Sequence, residues 1–485
     1  KGFLFDKNGN LYKDENLVEY FHEITDGKYL DEKLRYANGS FCLVFNNGKN
    51  VYIAADRLRS IPLFYSILED QILISDNAFW IKKESNLHDI DQMSLLEFKL
   101  TGYTMGSTTL IRKINQIQAG ELVTIKLENT TKIFNEFYYV HLHNNYFGLT
   151  KNECFDQLEE ISKRTFTRLI KSVNNNPIVV PLSGGYDSRY IVAMLKKLGY
   201  ENVICYTYGR PDSHEVVISK RVAKQLSYDW IFIEYSIDTW DCLFGDDAYK
   251  YFIDSNNLSS LPHIQEYYAV QYLSNNKLIP ENSVIVPGFC GDVLGGTYLI
   301  DENEIRSIDL NVESLCEYIF KKHFNLFVYN GEKVSQIKKD IKQFIVQFPI
   351  SNVDDLISIN EHFITCHRLS KFVINSLRVY EHFGFQWRMP LWDNELIEYW
   401  YRIPNEYRVN NQLYNEFLLY NIFNEFDISI PKLQPKHKIV QRLKMVLPKS
   451  MRNFMMYILN KYFQQNIRNY NNFNQLAEKL LQNIN

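Results

Sequence analysis

Pro177-Ile178-Val179-Val180-Pro181-Leu182-Ser183-Gly184-Gly185-Tyr186-Asp187-Ser188 is the stretch on which the architecture of this chain turns. Its first six residues are a short apolar run stopped by a Gly-Gly pair, which reads as a buried strand followed by a tight loop. A helix is expected from about Ser188 to Leu198. Strand, loop and helix in that order place the loop where open α/β sheets collect ligands. The glycines let the backbone approach an anion closely, and the helix start adds N–H groups without intrahelical partners. Ser183 and Ser188 contribute hydroxyl donors. The loop is not of Walker A type, since no G-x-x-x-x-G-K-[ST] occurs. Asp187 beside a phosphate cradle would be repulsive unless a cation such as Mg²⁺ lay between them.

Outward from the loop, strands are expected at Val203–Tyr208, Trp230–Tyr235 and Ser283–Val286, with helices over Cys154–Val173 and Val216–Leu226. Such alternation argues for a parallel sheet flanked by helices. The chain beyond is mostly helical by pattern. Before Gly148 the character differs. Gly2–Phe5, Ser40–Phe45, Val51–Ala55, Leu63–Ser66, Ile72–Ser75 and Glu121–Lys126 are short runs of strand type, punctuated by Asn8-Gly9, Asn38-Gly39 and Asn47-Gly48. Those pairs favour tight turns, and Phe41–Asp56 reads as a hairpin turning at Asn47-Gly48. An antiparallel β-rich part followed by an α/β part is therefore expected.

Bulk properties narrow the function classes. The 485 residues are 46% hydrophobic and 23% charged, a globular composition. A net charge of −4 excludes a globally basic nucleic-acid binder. The seven cysteines (42, 154, 205, 242, 290, 316 and 366) contain no C-x-x-C spacing, so neither zinc site nor disulfide framework is implied, and buried thiols in a cytoplasmic protein are expected. No apolar run approaches the ~20 residues of a membrane span.

The Ser-Gly-Gly-x-Asp-Ser loop resembles the PP-loop of ATP pyrophosphatases. Two further segments follow it: Pro287-Gly288-Phe289-Cys290-Gly291-Asp292-Val293-Leu294-Gly295-Gly296, and Arg388-Met389-Pro390-Leu391-Trp392-Asp393. In this order the three resemble the synthetase domain of the asparagine synthetase and β-lactam synthetase family, over roughly residues 150–440. Gly39-Ser40-Phe41, Asp56 through Tyr65, and Ile117 through Glu121 are similar to class II glutamine amidotransferase domains. The resemblance implies an α+β, Ntn-hydrolase-like domain over 1–148. An α/β PP-loop ATP-pyrophosphatase domain with a helical C-terminal extension would span 149–485.

The same resemblance implies adenylation of a carboxylate by ATP, with release of pyrophosphate, followed by transfer to ammonia or an amine. It assigns ATP and pyrophosphate contacts to Leu182, Ser183, Gly184, Gly185, Asp187, Ser188, Thr207, Tyr208, Gly209 and Gly288. Asp187 and Asp292 would hold Mg²⁺, and the late catalytic lysine would be Lys436, with Lys438 as the alternative. Arg388 is expected to fix local geometry, and His214-Glu215 to start a solvated helix.

Two departures qualify the picture. No cysteine stands where the glutaminase nucleophile would, and the chain begins at Lys1. Either the domain is truncated upstream or, as we expect, it is shortened and lacks glutaminase activity, with ammonia or an amine supplied from solution or by a separate partner. Phe289 replaces the glutamate of asparagine synthetases, so the carboxylate (an amino acid or a sugar acid) is open. No nucleic acid is expected. The segment from Lys432 to Ala477 holds nine Lys or Arg and no Asp or Glu. It is expected to form a packed C-terminal helix with a solvated basic face; peripheral membrane or protein contact is the alternative, and a homodimer is compatible. Competing functions are a PP-loop enzyme modifying tRNA or a nucleotide, and an inactive ATP-binding scaffold.

Overall fold

The first part of the chain carries the short strands β1 (Gly2–Phe5), β2 (Leu11–Lys13), β3 (Asn38–Asn46), β4 (Asn50–Ala55), β5 (Phe64–Ile67), β6 (Ile72–Ser75), β7 (Asn115–Gln116), β8 (Glu121–Lys126) and β9 (Lys132–Phe137), among which lie the helices Leu17–Phe21, Gly27–Tyr36, Ala78–Ser85 and Gln92–Thr101. The structure, a computed structural model, describes residues 1–22, 27–69, 71–127, 132–236, 238–327 and 331–431. Lys436, Lys438 and the basic segment lie outside the described residues.

Six of these strands form a sheet in the order β2-β1-β3-β4-β8-β9, and three form a second sheet, β6-β5-β7; every pairing is antiparallel. The β3–β4 hairpin turns at Asn47, whose side chain accepts from the N–H groups of Lys49 (3.1 Å) and Asn50 (2.8 Å). Gly48 supplies the positive φ of +83°. Central β4 is almost wholly buried because both of its faces are covered. Tyr52 and Ala54 pack with Leu4, Phe41 and Tyr138, while Val51, Ile53 and Ala55 join the core that continues under the parallel sheet.

The Asn38-Gly39 pair makes no turn; it opens β3 opposite β1. A Cβ on Gly39 would stand 2.3 Å from the Phe3 carbonyl oxygen, so this glycine serves strand approach.

The second part carries five parallel strands: β10 (Ile178–Pro181), β11 (Val203–Gly209), β12 (Asp229–Glu234), β13 (Val284–Ile285) and β14 (Gln386–Trp387). Their order is β12-β11-β10-β13-β14. The chain builds outward from β10 through β11 to β12, then returns to the other side of β10 with β13. The order thus reverses between β10 and β13, the switch point at which ligand crevices open in such sheets. Ile178, Val179 and Val180 are fully buried, contributing about 1.5–3 kcal/mol each.

The helix Lys151–Val173 leads into β10. Thr150 and Glu153 close its start as a capping box, and Leu158, Ile161, Phe166 and Leu169 form its buried stripe. The helices Tyr186–Lys197 and His214–Leu226 follow β10 and β11. No helix among the described residues is long and apolar enough to cross a membrane. All seven cysteines are unbridged.

Candidate functional site

At the carboxyl end of β10 the loop folds on its own hydroxyls. Ser183 N–H donates to Ser188 Oγ (3.1 Å), Gly185 N–H donates to Ser183 Oγ (3.0 Å), and the two hydroxyl oxygens lie 3.2 Å apart. Gly185 caps the helix Tyr186–Lys197 without a side-chain acceptor, leaving the first-turn N–H groups for an anion. Gly184 passes so close to the start of the next helix that a Cβ would meet Glu215 Cα at 3.2 Å. His214 and Glu215 are both exposed at the start of that helix, as expected, with the Glu215 backbone beside Gly184.

Arg189, fully buried, donates to the carbonyls of Gly184 (2.9 Å), Ile428 (3.1 Å) and Ile430 (2.6 Å). Burial pulls its guanidinium down to about 10, so it stays charged at neutral pH and clamps the loop from behind.

The second glycine-rich loop follows β13 and lies directly on the first. A Cβ at Gly288 would stand 2.9 Å from Ser188 N, and one at Gly291 would stand 2.3 Å from Asp187 Cγ. Only glycine admits this contact. Cys290 turns the chain with φ +73°, and Gly291–Gly295 forms one helical turn. Asp292 leaves this turn half-buried. Burial pushes its carboxyl up, against the hydrogen bonds from Tyr298 and the Val293 N–H. Tyr414 donates its hydroxyl to Asp187 Oδ1 at 2.8 Å. Phe289 is half-buried and packs on the main core. Two carboxylates on touching loops match the one or two that Mg²⁺ takes besides phosphate oxygens and water. Among the described residues no group of three or more His, Cys, Asp or Glu could hold a metal by itself.

At the end of β11 the Thr207 hydroxyl lies 2.6 Å from the Leu182 carbonyl oxygen and 2.8 Å from Ser219 Oγ, and accepts from Trp230 Nε1 (3.0 Å). Its side chain clasps neighbouring strands, so a ligand here would meet its backbone. Tyr208 stacks on Tyr235 with ring centres 5.1 Å apart, and Gly209 leaves the strand with φ +131°.

Arg388 is structural: buried, it donates to Ser172 Oγ (3.1 Å) and the Trp387 carbonyl (2.8 Å), and its backbone N–H bonds Ile285 O. Asp393 accepts from Arg168 at both oxygens (2.7 Å each) and from Asn38 Nδ2 (2.9 Å), joining the β-rich part to the parallel sheet.

A second clasp reaches the Asp292 loop. Arg408, fully buried, donates to Glu361 Oε1 (2.8 Å) and to the Val293 carbonyl (3.3 Å). His143 Nε2 lies 2.6 Å from Glu361 Oε2. Arg189, Tyr414, Arg408 and Glu361 carry no local sequence signal, because each works across a long separation; only their placement in apolar surroundings hints at them.

The asparagine synthase family model matches residues 167–244, the span from the end of the helix Lys151–Val173 to beyond β12. Among solved structures, the NH₃-dependent NAD synthetase from Campylobacter jejuni is 14% identical and aligns over 43% of this chain and 92% of that one, with a TM-score of 0.21. The NMN synthetase from Francisella tularensis is 13% identical over 46% of this chain and 97% of its own, with a TM-score of 0.23. The glutamine phosphoribosylpyrophosphate amidotransferase from B. subtilis is 10% identical over 48% and 67%, with a TM-score of 0.20. No curated protein matches the chain. The segment that matches the asparagine synthase family model is thus the one that holds the Ser183–Ser188 loop with β10, β11 and β12.

Proposed function

We propose that this chain is an ATP-dependent, amide-forming ligase that adenylates a substrate carboxylate. The observation that carries the reading is the contact between the two glycine-rich loops at the switch point, which sets Asp187 against Gly291, the chain neighbour of Asp292. The carboxylate oxygen attacks the α-phosphate, the bond to the β-phosphate breaks, and pyrophosphate leaves. Ammonia or an amine then attacks the acyl carbon, the bond to AMP breaks, and the nitrogen gives up a proton.

Ser183, Gly184, Gly185 and Ser188 would bind the departing pyrophosphate through backbone N–H and hydroxyl groups. Leu182, Thr207, Tyr208, Gly209 and Gly288 would line the nucleotide by their backbones. Asp187 and Asp292 would hold Mg²⁺, which supplies charge neutralisation on the phosphates when bound. The Tyr414 hydroxyl orients Asp187. Residues 1–148 would be an Ntn-hydrolase-like domain and residues 149–485 the synthetase domain, with Lys436 as its catalytic lysine. The carboxylate is an amino acid or a sugar acid.

Pyrophosphate–ATP exchange against aspartate, other amino acids and uronic acids tests this. Exchange with one of them, reduced at least about a hundredfold by Asp187→Ala, is the expected result. Undiminished exchange in Asp187→Ala, or ATP binding with no exchange on any carboxylate, would refute it.

A further inference from the structure

Away from the loops, a cavity of ≈ 470 Å³ opens where the helix Gln92–Thr101 meets the helices Lys333–Ile345 and Val353–Ile364. That volume lies in the range of about 300–1,000 Å³ typical of small-molecule sites. Its walls are aromatic. Phe344 meets Phe363 with ring centres 5.3 Å apart at 86°, and Phe348 at 5.7 Å and 64°. Rings set edge to face around a space turn their negative faces in several directions, which suits a cation.

The polar groups point the same way. Glu97 is 5% exposed, and its Oε2 accepts from the Met105 N–H at 2.9 Å. Oε1 has no hydrogen-bond partner among the described residues. Burial raises this carboxyl to about 7, against the Met105 bond and the charge of Lys371. Lys371 does not pair with it: its ammonium is spent on the carbonyls of Thr104 (3.0 Å) and Gly106 (2.5 Å). Asp340 adds a second carboxylate to the lining, and no lysine or arginine among the described residues lines the cavity. His367, 4% exposed, also lines it. Burial holds its imidazole well below the ordinary range, hence neutral.

An anion here would meet two carboxylates. A neutral apolar guest would leave Glu97 Oε1 unsatisfied, which costs about 1–3 kcal/mol. An ammonium with an apolar body answers it. We propose that the cavity walled by Phe344, Phe348 and Phe363 and floored by Glu97 binds a small organic amine in its cationic form. This site is separate from the glycine-rich loops and does not depend on their function.

Calorimetric titration of the full chain with benzylammonium, and with benzyl alcohol as its neutral counterpart, tests the assignment. Saturable binding of benzylammonium, at least tenfold tighter than benzyl alcohol, is expected. Glu97→Gln should erase that preference, Phe348→Leu should weaken the amine at least threefold, and Asp187→Ala should leave it unchanged. Equal affinity for the two probes, an unchanged preference in Glu97→Gln, or no saturable benzylammonium binding (a cavity filled by water) would overturn it. Should Glu97→Gln fail to fold, Phe348→Leu decides, since unchanged amine affinity there also overturns the proposal.

Discussion

Gly291 is the residue on which the candidate site depends most sharply. It has no room for a methyl group, because a Cβ would fall 2.3 Å from Asp187 Cγ, whereas one on Gly245 would have its nearest neighbour at 3.8 Å. Gly291→Ala must push the two carboxylate loops apart. A displacement near 1 Å at a reacting centre costs on the order of a hundredfold in rate, so exchange activity should fall by about that factor. Gly245→Ala should keep wild-type activity, and thermal melts of both variants separate misplacement from unfolding. Ser183, Gly184, Gly185 and Asp187 could be singled out from the sequence because loop chemistry is local. Tyr414 could not, since its hydroxyl reaches Asp187 across 227 positions.

Among elements, the helix Val353–Ile364 and the Asn405–Arg408 turn act together through Glu361 and Arg408. Burial alone pushes Glu361 up, but Arg408 and His143 outweigh it and bring the carboxyl to about 2, below the usual value of about 4.3. A depressed carboxyl stabilises the fold fully above its unfolded pKa and loses that contribution as pH falls toward the folded value. Wild-type stability should therefore drop between about pH 4 and pH 2 with a slope that Glu361→Gln lacks. At neutral pH the same variant leaves Arg408 buried without its counter-charge and should cost about 3–5 kcal/mol. Urea unfolding at stepped pH measures both effects.

Sequence patterns located the long elements well, since helices such as Lys151–Val173 carry many periodic positions. They missed β9, which is exposed along its whole length, and two-residue β14, where pairing rather than alternation makes the strand.

For the molecule as a whole, the β-rich part and the parallel sheet share one apolar core, and polar ties add to that contact. Asp393 gathers Arg168 and Asn38, and Arg57 reaches Glu398 at 2.5 Å. Asp393→Ala leaves the half-buried Arg168 with Glu395 (2.8 Å) as its remaining carboxylate among the described residues, and should lower stability by about 1–3 kcal/mol. It should also speed proteolysis in the connecting segment 138–150. Cleavage rates and denaturant midpoints of wild type and variant, compared side by side, check this; unchanged rates would assign the association to apolar packing instead.

By itself, the sequence determined the parallel sheet, the β-rich part before it and the Ser183–Ser188 loop, because periodicity and turn chemistry act over a few residues. It also supplied the family resemblance that residues 167–244 bear out. Tertiary structure decided which side of β10 receives β13, and with it the placement of the Asp292 turn against Asp187. It also decided that Thr207 spends its hydroxyl on neighbouring strands, and that Glu97 and three phenylalanines enclose a cavity. These are outcomes of packing between segments tens to hundreds of residues apart, where no local pattern records the partner.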